Sequence, residues 1–571
     1  MATLRLSNDR INIQAIRSGL PHPVSYSGSW ANASVDGPRP CENRLPDLQV
    51  RDILIPIISP PPPSSGVLSD LPSNILTTPS HRARKVKCDE NRPKCRRCTT
   101  SRRPCSGYDT AEQSLSWYRP NQLSARNQQE GRAFQFFSRM VSPVLGGPTG
   151  AYFWTHLALQ FSHFQPAVRH AVLSISSLYE DFARGWRITR QICASSFAIG
   201  HYNAAVKRAR TAQSEQVVLL LCVLFVCIEY LQGDIDAALK HTHYGIKILN
   251  HSACPDWARY HLVPIFRRLA LMPAWFGGAR HKRLPTLVGF DAPSPTGFNC
   301  VAEAQDSIDS IMSRAMGCAS EDLCAETRDL AVLLQGWDIG VSVLEAGMPR
   351  GATVDRYALC VMRMKALVAG IQIARPAEYP EAWFDQHLDT FRSIIDTAEE
   401  ASRLYGMAEK QGLMPRSVFS FEMGALPLLS FAVIKCRCLQ TRLRGLALLP
   451  SVGPAKEGLF DVGTLYRAGR RHIELEHDIS LDDYYDHCHG TGTDCCAGLM
   501  PPERKRIFDV PVDHELKIIS GLNGRKRYMR RVRFMMRDER GGVVSKDEYI
   551  YDDEPRRCQV QVPPMRGAWR L

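Results

Sequence analysis

The sequence lacks the features of secreted and membrane-spanning proteins. The opening stretch MATLRLSNDRINIQ has no continuous apolar core, so it does not read as a secretory signal peptide. The most apolar run extends from Val217 to Ile228 and has 12 residues, whereas a helix that crosses a bilayer core needs about 20. We therefore expect this run to be a buried core helix of a soluble protein that has no membrane partner.

Motifs of the common enzyme classes are also missing. The chain has no Gly-rich phosphate loop, no G-x-S-x-G nucleophile elbow and no H-E-x-x-H metal motif. His241 and His243 flank Thr242 in a helical pattern, where residues two apart lie on different faces and do not form a ligand pair. We predict no catalytic residue and no enzymatic activity.

Acidic residues are fewer than basic ones, and the imbalance is local. The chain has 58 Asp and Glu against 71 Lys and Arg, a formal net charge of +13. Residues 81–108 alone contain ten Lys or Arg and two acidic residues, a net charge of +8. Positive charge clustered in this way favours a polyanionic partner such as nucleic acid.

The 19 cysteines are of two kinds. Most lie singly in apolar helical stretches, where a free thiol packs as a small hydrophobe, and this indicates a reducing compartment. Four of them instead form the pattern C-x6-C-x2-C-x6-C and are Cys88, Cys95, Cys98 and Cys105. Thiolates of this type and closeness bind Zn²⁺ tetrahedrally, with Zn–S distances of about 2.3 Å. A segment this short and basic cannot bury enough apolar surface to fold alone. Zinc binding would therefore have to supply the folding free energy, which is about 10–16 kcal/mol in small zinc peptides.

The stretch RKVKCDENRPKCRRCTTSRRPCSGYD resembles the fungal zinc binuclear cluster, the DNA-binding module of a family of fungal transcription factors. The resemblance implies two Zn²⁺ ions shared by six cysteines, and a short helix that enters the major groove over a CGG-type triplet. It implies that Lys85, three residues before Cys88, reads base edges, since guanine acceptors suit Lys or Arg. The residues expected to contact phosphates are Arg82, Arg84, Lys87, Arg96 and Arg97.

The chain departs from the family's pattern at the first two cysteines, which should fall at positions 78 and 81. Thr78 and His81 stand there instead. Histidine can ligate zinc, but threonine cannot replace a bridging thiolate. As written, the chain would hold one Zn²⁺ in a four-thiolate site, or two with incomplete coordination, with His81 as a further ligand. Two explanations stay open: a wrong or alternative splice junction before Arg82, and a true lost-ligand variant without DNA affinity.

Composition divides the rest of the chain. Twelve of the 37 prolines lie in the first 80 residues, and four of them form a continuous run, which favours an open polyproline conformation. The fold class we predict is mostly α, with a small zinc-cluster module, a large irregular all-α helical domain, a disordered N-terminus and a small β-hairpin near the C-terminus. The predicted segments are a disordered stretch over 1–80, the truncated zinc cluster over 81–108, a linker over 109–130, the helical domain over 131–500 and a basic tail over 501–571.

Several patterns predict helices within 131–500. Pro166 suits a first helical position, and the apolar residues that follow recur on one face. VVLLLCVLFVCIEYL and AALKHTHYGIKIL are joined at Gly233-Asp234 as a helical hairpin, and FEMGALPLLSFAVIKCRCL and Val462 to Leu475 add further helices. This part of the chain resembles the regulatory region that follows the zinc cluster in many of these fungal factors. The resemblance is carried by QPAVRHAVLSISSLYE, HYNAAVKRA, FVCIEYLQGDIDAALKHTHYGIKIL, and FEMGALPLLSFAVIKCR followed by EGLFD. The resemblance implies an all-α domain for regulation and partner contact.

Two segments near the C-terminus permit more than one interpretation. The loop DHCHGTGTDCCAG is either a second metal site or an ordinary loop, and its candidate ligands are His487, Cys488, His489, Cys495 and Cys496. GRKRYMRRVR, ending at Arg533, is a nuclear import signal, an extra phosphate contact or the solvated face of a terminal hairpin. Gly541-Gly542 between two β-rich runs predicts that hairpin.

These patterns predict a nuclear, sequence-specific DNA-binding transcription regulator of RNA polymerase II genes. Its expected partners are double-stranded DNA and the transcription machinery or co-regulators. Pro120 interrupts any heptad after the cluster, so a monomer and a homodimer through the helical domain are both open. The alternative is a helical interaction protein whose degenerate zinc cluster no longer binds DNA.

Overall fold

A computed structural model of the chain describes residues 127–552 with internal gaps, and in addition Thr100. The gaps are 185–194, 211–213, 252–255, 276–283, 291, 293–296, 318–322, 377, 415–416, 483–499, 514–516 and 521–525. Apart from Thr100, the described residues belong to one compact unit. The predicted disordered segment, the zinc cluster and most of the predicted linker lie outside the described residues.

The described unit is mostly helical, as the sequence predicts. Its α-helices are α1 Gln128–Phe136, α2 Ser142–Leu145, α3 Ala158–Phe164, α4 Pro166–Ala183, α5 Ser196–Ala209, α6 Glu215–Gln232, α7 Ile235–His251, α8 Asp256–His261, α9 Val263–Trp275, α10 Val301–Gly317, α11 Leu323–Ala346, α12 Thr353–Ala374, α13 Leu388–Lys410, α14 Leu426–Lys435, α15 Leu439–Leu448 and α16 Val462–His477. Two π-helical turns, Phe137–Val141 and Phe153–Leu157, adjoin α1 and α3, and 3-10 turns cover Glu381–His387 and Glu503–Lys505.

Helix α6 forms the centre of the main core. Every residue from Val217 to Leu231 is buried, as expected for a helix that is apolar on all sides. The helix ends at Gly233, which adopts φ +74, and its amide donates to Tyr230 at 3.3 Å. Gly is favoured here because a side chain would be strained at positive φ. The chain then turns into α7, so the predicted hairpin at Gly233-Asp234 is confirmed.

Helix α4 packs one apolar face against the same core. Pro166 occupies its first turn, as predicted. The predicted face is confirmed, since all six of its residues are buried: Val168, Ala171, Val172, Ile175, Leu178 and Tyr179.

A second, smaller apolar cluster lies between α10, α11 and α12. Trp337 of α11 is fully buried there, and its indole N–H donates to the carbonyl of Ala304 at 2.8 Å. This cluster places α10 beside α12, which brings polar side chains of both helices together.

The predicted helix FEMGALPLLSFAVIKCRCL is only half helical. Residues 421–425 precede α14, and Phe419–Ser420 forms a strand, β1, that pairs in parallel with β2, Lys456–Glu457. Strand β2 also pairs in antiparallel with β3, Phe460–Asp461. The helical pattern is interrupted because backbone groups of this segment bond to β2 instead of to the following helical turn.

The predicted C-terminal hairpin is confirmed and is part of a larger sheet. Strands β6, Lys526–Arg537, and β7, Val543–Asp552, pair in antiparallel, and the turn between them contains Gly541 with φ +78. Two shorter strands, β4, Ile507–Asp509, and β5, Lys517–Ser520, pair with the other edge of β6. One face of the sheet packs on α16 through Ala468, Ile507, Val532, Phe534 and Ile550.

Among the residues that the structure describes, α6 and α12 are long and apolar enough to cross a bilayer by length and composition alone. Within the fold, 83% of the α6 window and 67% of the α12 window are buried against other parts of the chain. Core helices of this kind pass the same test. The prediction that Val217 to Ile228 is a buried core helix is confirmed, although the helix is 18 residues long.

Candidate functional site

None of the predicted zinc or DNA residues is among the described residues. All the predicted zinc ligands of the cluster and all the predicted DNA contacts lie within residues 81–105: His81, Arg82, Arg84, Lys85, Lys87, Cys88, Cys95, Arg96, Arg97, Cys98 and Cys105. The candidate second metal loop, with His487 and Cys496, also lies outside them. Their roles therefore stay predictions from the sequence.

No three or more His, Cys, Asp or Glu side chains gather into a metal-binding group within the ranges that the structure describes. Apart from the exposed Cys300, the thiols whose burial the structure describes are buried and suit structural roles. Cys222 of α6 is fully buried, and burial raises its pKa to about 12, which keeps the thiol protonated and unreactive. These observations agree with the prediction that cysteines outside the cluster pack as small hydrophobes.

The predicted basic stretch before Arg533 lies partly in β6. Arg531 pairs with Asp513 at 2.8 Å, and Arg533 pairs with Asp547 of β7 at 3.0 Å. Both side chains are thus neutralised on the surface of the sheet. This pairing favours the interpretation that the basic stretch is the solvated face of a hairpin over the interpretation that it contacts phosphates.

A cavity with both apolar and polar lining residues lies where α10, α12 and α13 meet the segment before α14 and strand β2. It contains about 620 Å³ of empty space when its mouth to solvent is included. Polar side chains from separate parts of the chain line it: Thr149, Gln305, Tyr357, Lys365, Tyr405, Ser417, Ser420, Glu422 and Glu457.

Lys365 and Glu422, which line the cavity, each belong to a buried ion pair. Lys365 of α12 donates to Asp309 of α10 at 2.7 Å, and the two side chains are 1% and 0% exposed. Arg268 of α9 binds Glu422 through two hydrogen bonds of 2.5 and 2.9 Å. Burial by itself would lower the pKa of Arg268, but the carboxylate of Glu422 raises it above its usual value. Buried charges need such partners, because an isolated buried charge costs several kcal/mol.

Glu457 of β2 is buried in the same cavity but takes part in no ion pair within the described ranges. Its Oε2 accepts hydrogen bonds from the amides of Gly424 and Leu426 at 3.0 and 2.9 Å, which caps the N-terminus of α14. Burial raises the pKa of Glu457 to about 7, although these amides and Lys365 oppose the shift. Near neutral pH the carboxyl is therefore close to half ionised.

Two tyrosines stand beside Glu457. Tyr357 of α12 and Tyr405 of α13 have ring centroids 5.4 Å apart, and the hydroxyl of Tyr357 donates to the carbonyl of Val452 at 3.2 Å. Glu457 is close enough to raise the pKa of both phenols further, after burial, which is the larger cause. The cavity thus combines a carboxyl group with two aromatic rings.

A second group of buried charges joins the helical core to the C-terminal sheet. Glu476 of α16 binds Arg442 at 2.6 Å and accepts a 2.7 Å hydrogen bond from the amide of Ile507 in β4. Burial would raise the pKa of Glu476, but His472 and the arginines Arg442 and Arg437 hold it well below its usual value. Burial lowers the pKa of His472 to about 4 despite that neighbour. The charged groups of this cluster bind one another, so the cluster has a structural role.

The sequence did not predict the cavity. Its charged lining residues, Lys365, Glu422 and Glu457, are far apart along the chain. One signal was available, because Lys365 stands in α12 between Met364 and Val368, both fully buried. A lysine on an apolar helical face predicts a buried partner, although the sequence does not say which one.

Comparison with known families bears on the segment outside the described residues. The profile of the fungal Zn(2)-Cys(6) binuclear cluster domain matches residues 82–115. The chain carries a fungal Zn(2)-Cys(6) binuclear cluster domain. The predicted resemblance and the predicted Zn²⁺ cofactor are thereby confirmed, since such a domain binds zinc. Thiolates are the ligands that zinc prefers, and this chain supplies Cys88, Cys95, Cys98 and Cys105 for a cluster that takes six.

Two curated fungal proteins are similar to the chain. The aspercryptin biosynthesis cluster-specific transcription regulator atnN of Emericella nidulans is 26% identical over 216 residues, which is 29% of this chain and 33% of that protein. Transcription regulator lscL of Purpureocillium lilacinum is 26% identical over 199 residues, 30% of this chain and 47% of that protein. The matches therefore span less than half the length of either relative. No solved structure matches the chain.

Proposed function

We propose that this chain is a nuclear transcription regulator that binds double-stranded DNA through its zinc binuclear cluster domain. The single observation that carries the proposal is the match at 82–115, where four cysteines alternate with a dense set of basic residues. The names of the two similar fungal proteins, both transcription regulators, support the same conclusion. RNA polymerase II genes are the proposed targets, and the helical unit is the proposed surface for co-regulators.

Within the domain, phosphate contacts supply most of the affinity and base contacts supply the sequence preference. We assign base reading at a CGG-type triplet to Lys85 and phosphate binding to Arg82, Arg84, Lys87, Arg96 and Arg97. A triplet is a short half-site, so a dimer or a partner is needed for useful specificity.

Thr78 and His81 stand where the family has two cysteine ligands. DNA binding therefore depends on whether the native protein has these residues or cysteines at the two positions. We propose that the true junction lies just before Arg82 and that the missing Cys-x2-Cys is encoded on another exon. Genomic DNA upstream of the Arg82 codon tests this directly. A major transcript that encodes Thr78 and His81 would contradict it.

Binding itself is tested with two full-length proteins, the chain as written and the double variant Thr78→Cys, His81→Cys. We expect the double variant to hold two Zn²⁺ per chain and to shift CGG-containing DNA in a gel, with the shift lost on adding a chelator. A double variant that retains no zinc, or zinc-loaded protein that does not prefer CGG-containing DNA, would overturn the proposal.

A second candidate function follows from the same two positions. If the chain as written is the native form, under-coordinated zinc would leave a helical interaction protein that acts by sequestering partners. Zinc-dependent DNA binding by the chain as written would remove this candidate.

A further inference from the structure

One carboxyl group that lines the cavity, that of Glu457, has no ion pair within the described part of the chain. Lys365 is neutralised by Asp309 at 2.7 Å, and Arg268 is neutralised by Glu422 at 2.5 Å. Glu457 lines the same cavity and is 1% exposed, yet only backbone amides bond to it within the described part of the chain. A buried carboxylate normally has a cationic partner, so this site has an excess of negative charge that a cation would balance.

The amides of Gly424 and Leu426 donate to Oε2 of Glu457, and the other oxygen, Oε1, lies against Gly424 and Gly453. A Cβ added at these glycines would meet Oε1 at 2.4 and 2.7 Å, so their missing side chains make the space for this oxygen. The surrounding backbone therefore holds the carboxyl group in place.

Two aromatic rings complete the surroundings of the carboxyl. Tyr357 and Tyr405 line the cavity with their ring centroids 5.4 Å apart. The faces of such rings attract organic cations by about 0.5–2 kcal/mol, more strongly where water is excluded. A carboxylate beside two tyrosine rings is a combination that suits an ammonium group.

We propose that this cavity binds the ammonium group of a small organic amine, with Glu457 as the counter-ion and Tyr357 and Tyr405 beside it. The cavity, with about 620 Å³ of empty space when its mouth to solvent is included, accepts the cationic end beside Glu457 and the rest of the molecule towards solvent. An anionic ligand is disfavoured, because Lys365 is already held by Asp309 and both side chains are buried. Binding is a property of the helical unit and does not depend on the DNA-binding proposal.

The test uses the full chain and three probes of one shape: butylammonium, 1-butanol and butyrate. Affinities are measured by saturation-transfer NMR titration at pH 8. We expect butylammonium to bind at least about tenfold more tightly than 1-butanol, and butyrate more weakly than either. Butyrate binding as tightly as butylammonium, or equal affinity for butylammonium and 1-butanol, would overturn the proposal.

Variants locate the site. Glu457→Gln keeps an acceptor for the amides of Gly424 and Leu426, and it should reduce the affinity for butylammonium to that for 1-butanol. Glu399→Gln is the matched control, since Glu399 is exposed and pairs with Arg444 on the outer surface, and it should change nothing. Should Glu457→Gln fail to fold, Tyr405→Leu is used instead and should weaken butylammonium several-fold while 1-butanol is unaffected. Unchanged butylammonium binding in the folded variant that is tested would place the amine elsewhere.

The dependence on pH supplies an independent readout. The groups that face Glu457 are Tyr357 and Lys365 of α12, Tyr405 of α13 and Glu422 before α14. Lys365 and Glu422 are held in ion pairs, and burial keeps the phenols protonated. Glu457, with a pKa of about 7, is the group that ionises between pH 6 and 8. We expect butylammonium to bind roughly tenfold more tightly at pH 8 than at pH 6, and a flat profile would contradict the role of Glu457.

Discussion

The zinc-cluster segment and the helical unit specify their structures by different means. Residues 81–108 carry a net charge of +8 and few apolar side chains, so their order has to come from metal–thiolate bonds. The helical unit buries apolar side chains in one large core, with α6 at its centre. A metal site fixes residue types at fixed spacings, whereas a core fixes mainly the pattern of apolar positions. For this reason the small segment is recognisable by its spacing, while the helical unit is recognisable mainly by its fold.

Metal removal gives the largest contrast between the two regions. For the variant with both cysteines restored, a chelator should abolish specific DNA binding but leave the helical circular dichroism and the thermal midpoint of the helical unit unchanged. The reason is that no metal-binding group occurs within the described part of that unit. A chelator that lowered the thermal midpoint strongly would mean that zinc also stabilises the helical unit.

A buried charge should matter to the stability of the helical unit, although it contributes less than zinc does to the small segment. Glu476→Gln leaves the fully buried Arg442 without the carboxylate that neutralises it, whereas Arg437 keeps its ion pair with Glu381. We expect a loss of about 3–5 kcal/mol in the free energy of unfolding, measured by urea denaturation.

The matched control for Glu476→Gln is Glu399→Gln on the surface. Glu399 binds Arg444 at 2.8 Å, but both side chains are more than a third exposed, so the expected loss is below about 1 kcal/mol. Equal losses in the two variants would show that burial does not decide the strength of these pairs.

Within the zinc-cluster domain, substitutions should distinguish the effect of a base contact from that of a phosphate contact. Lys85→Ala should remove about 1–3 kcal/mol of discrimination between CGG and altered triplets. Arg97→Ala should weaken binding to all sequences alike and reduce the dependence on salt by about one phosphate contact. Competition gel shifts at two salt concentrations measure both quantities, and identical effects of the two variants would contradict the assigned roles.

The smallest expected effect concerns the pH dependence of the helical unit. The pKa of Glu457 is raised to about 7 in the folded state, so the folded state holds a proton that the unfolded chain releases near its ordinary pKa of 4.5. The sign follows: the stability contributed by protonated Glu457 is present below pH 4.5 and is lost as pH rises through 7. Relative to Glu457→Gln, the natural chain should lose on the order of 1–3 kcal/mol between pH 5 and 8, measured by urea denaturation.

Other titratable residues, such as His472, are present both in the natural chain and in Glu457→Gln, so their effects on the pH dependence of stability cancel in that comparison. A difference between the two proteins that stayed constant with pH would mean that Glu457 is ionised throughout the range.

Much of the helical fold was predictable from local patterns. The face of α4, the turn at Gly233 and the hairpin at Gly541 depend on residues near each other in sequence, so periodicity and turn preferences reveal them. The strand at Phe419–Ser420 was not predictable, since its partner Lys456–Glu457 is more than 30 residues away. Strand formation of this kind depends on the partner more than on the local sequence.

By itself the sequence determined the zinc-binding character of residues 82–115, because metal ligands and basic contacts are encoded at short, fixed spacings. It also determined which helical faces are apolar. Only the tertiary structure decided which charges meet inside the helical unit. Arg268 and Glu422 lie 154 positions apart, and Lys365, which lines the same cavity as Glu457, is paired with Asp309. Electrostatic partners depend on distance in space, and no pattern along the chain records that distance.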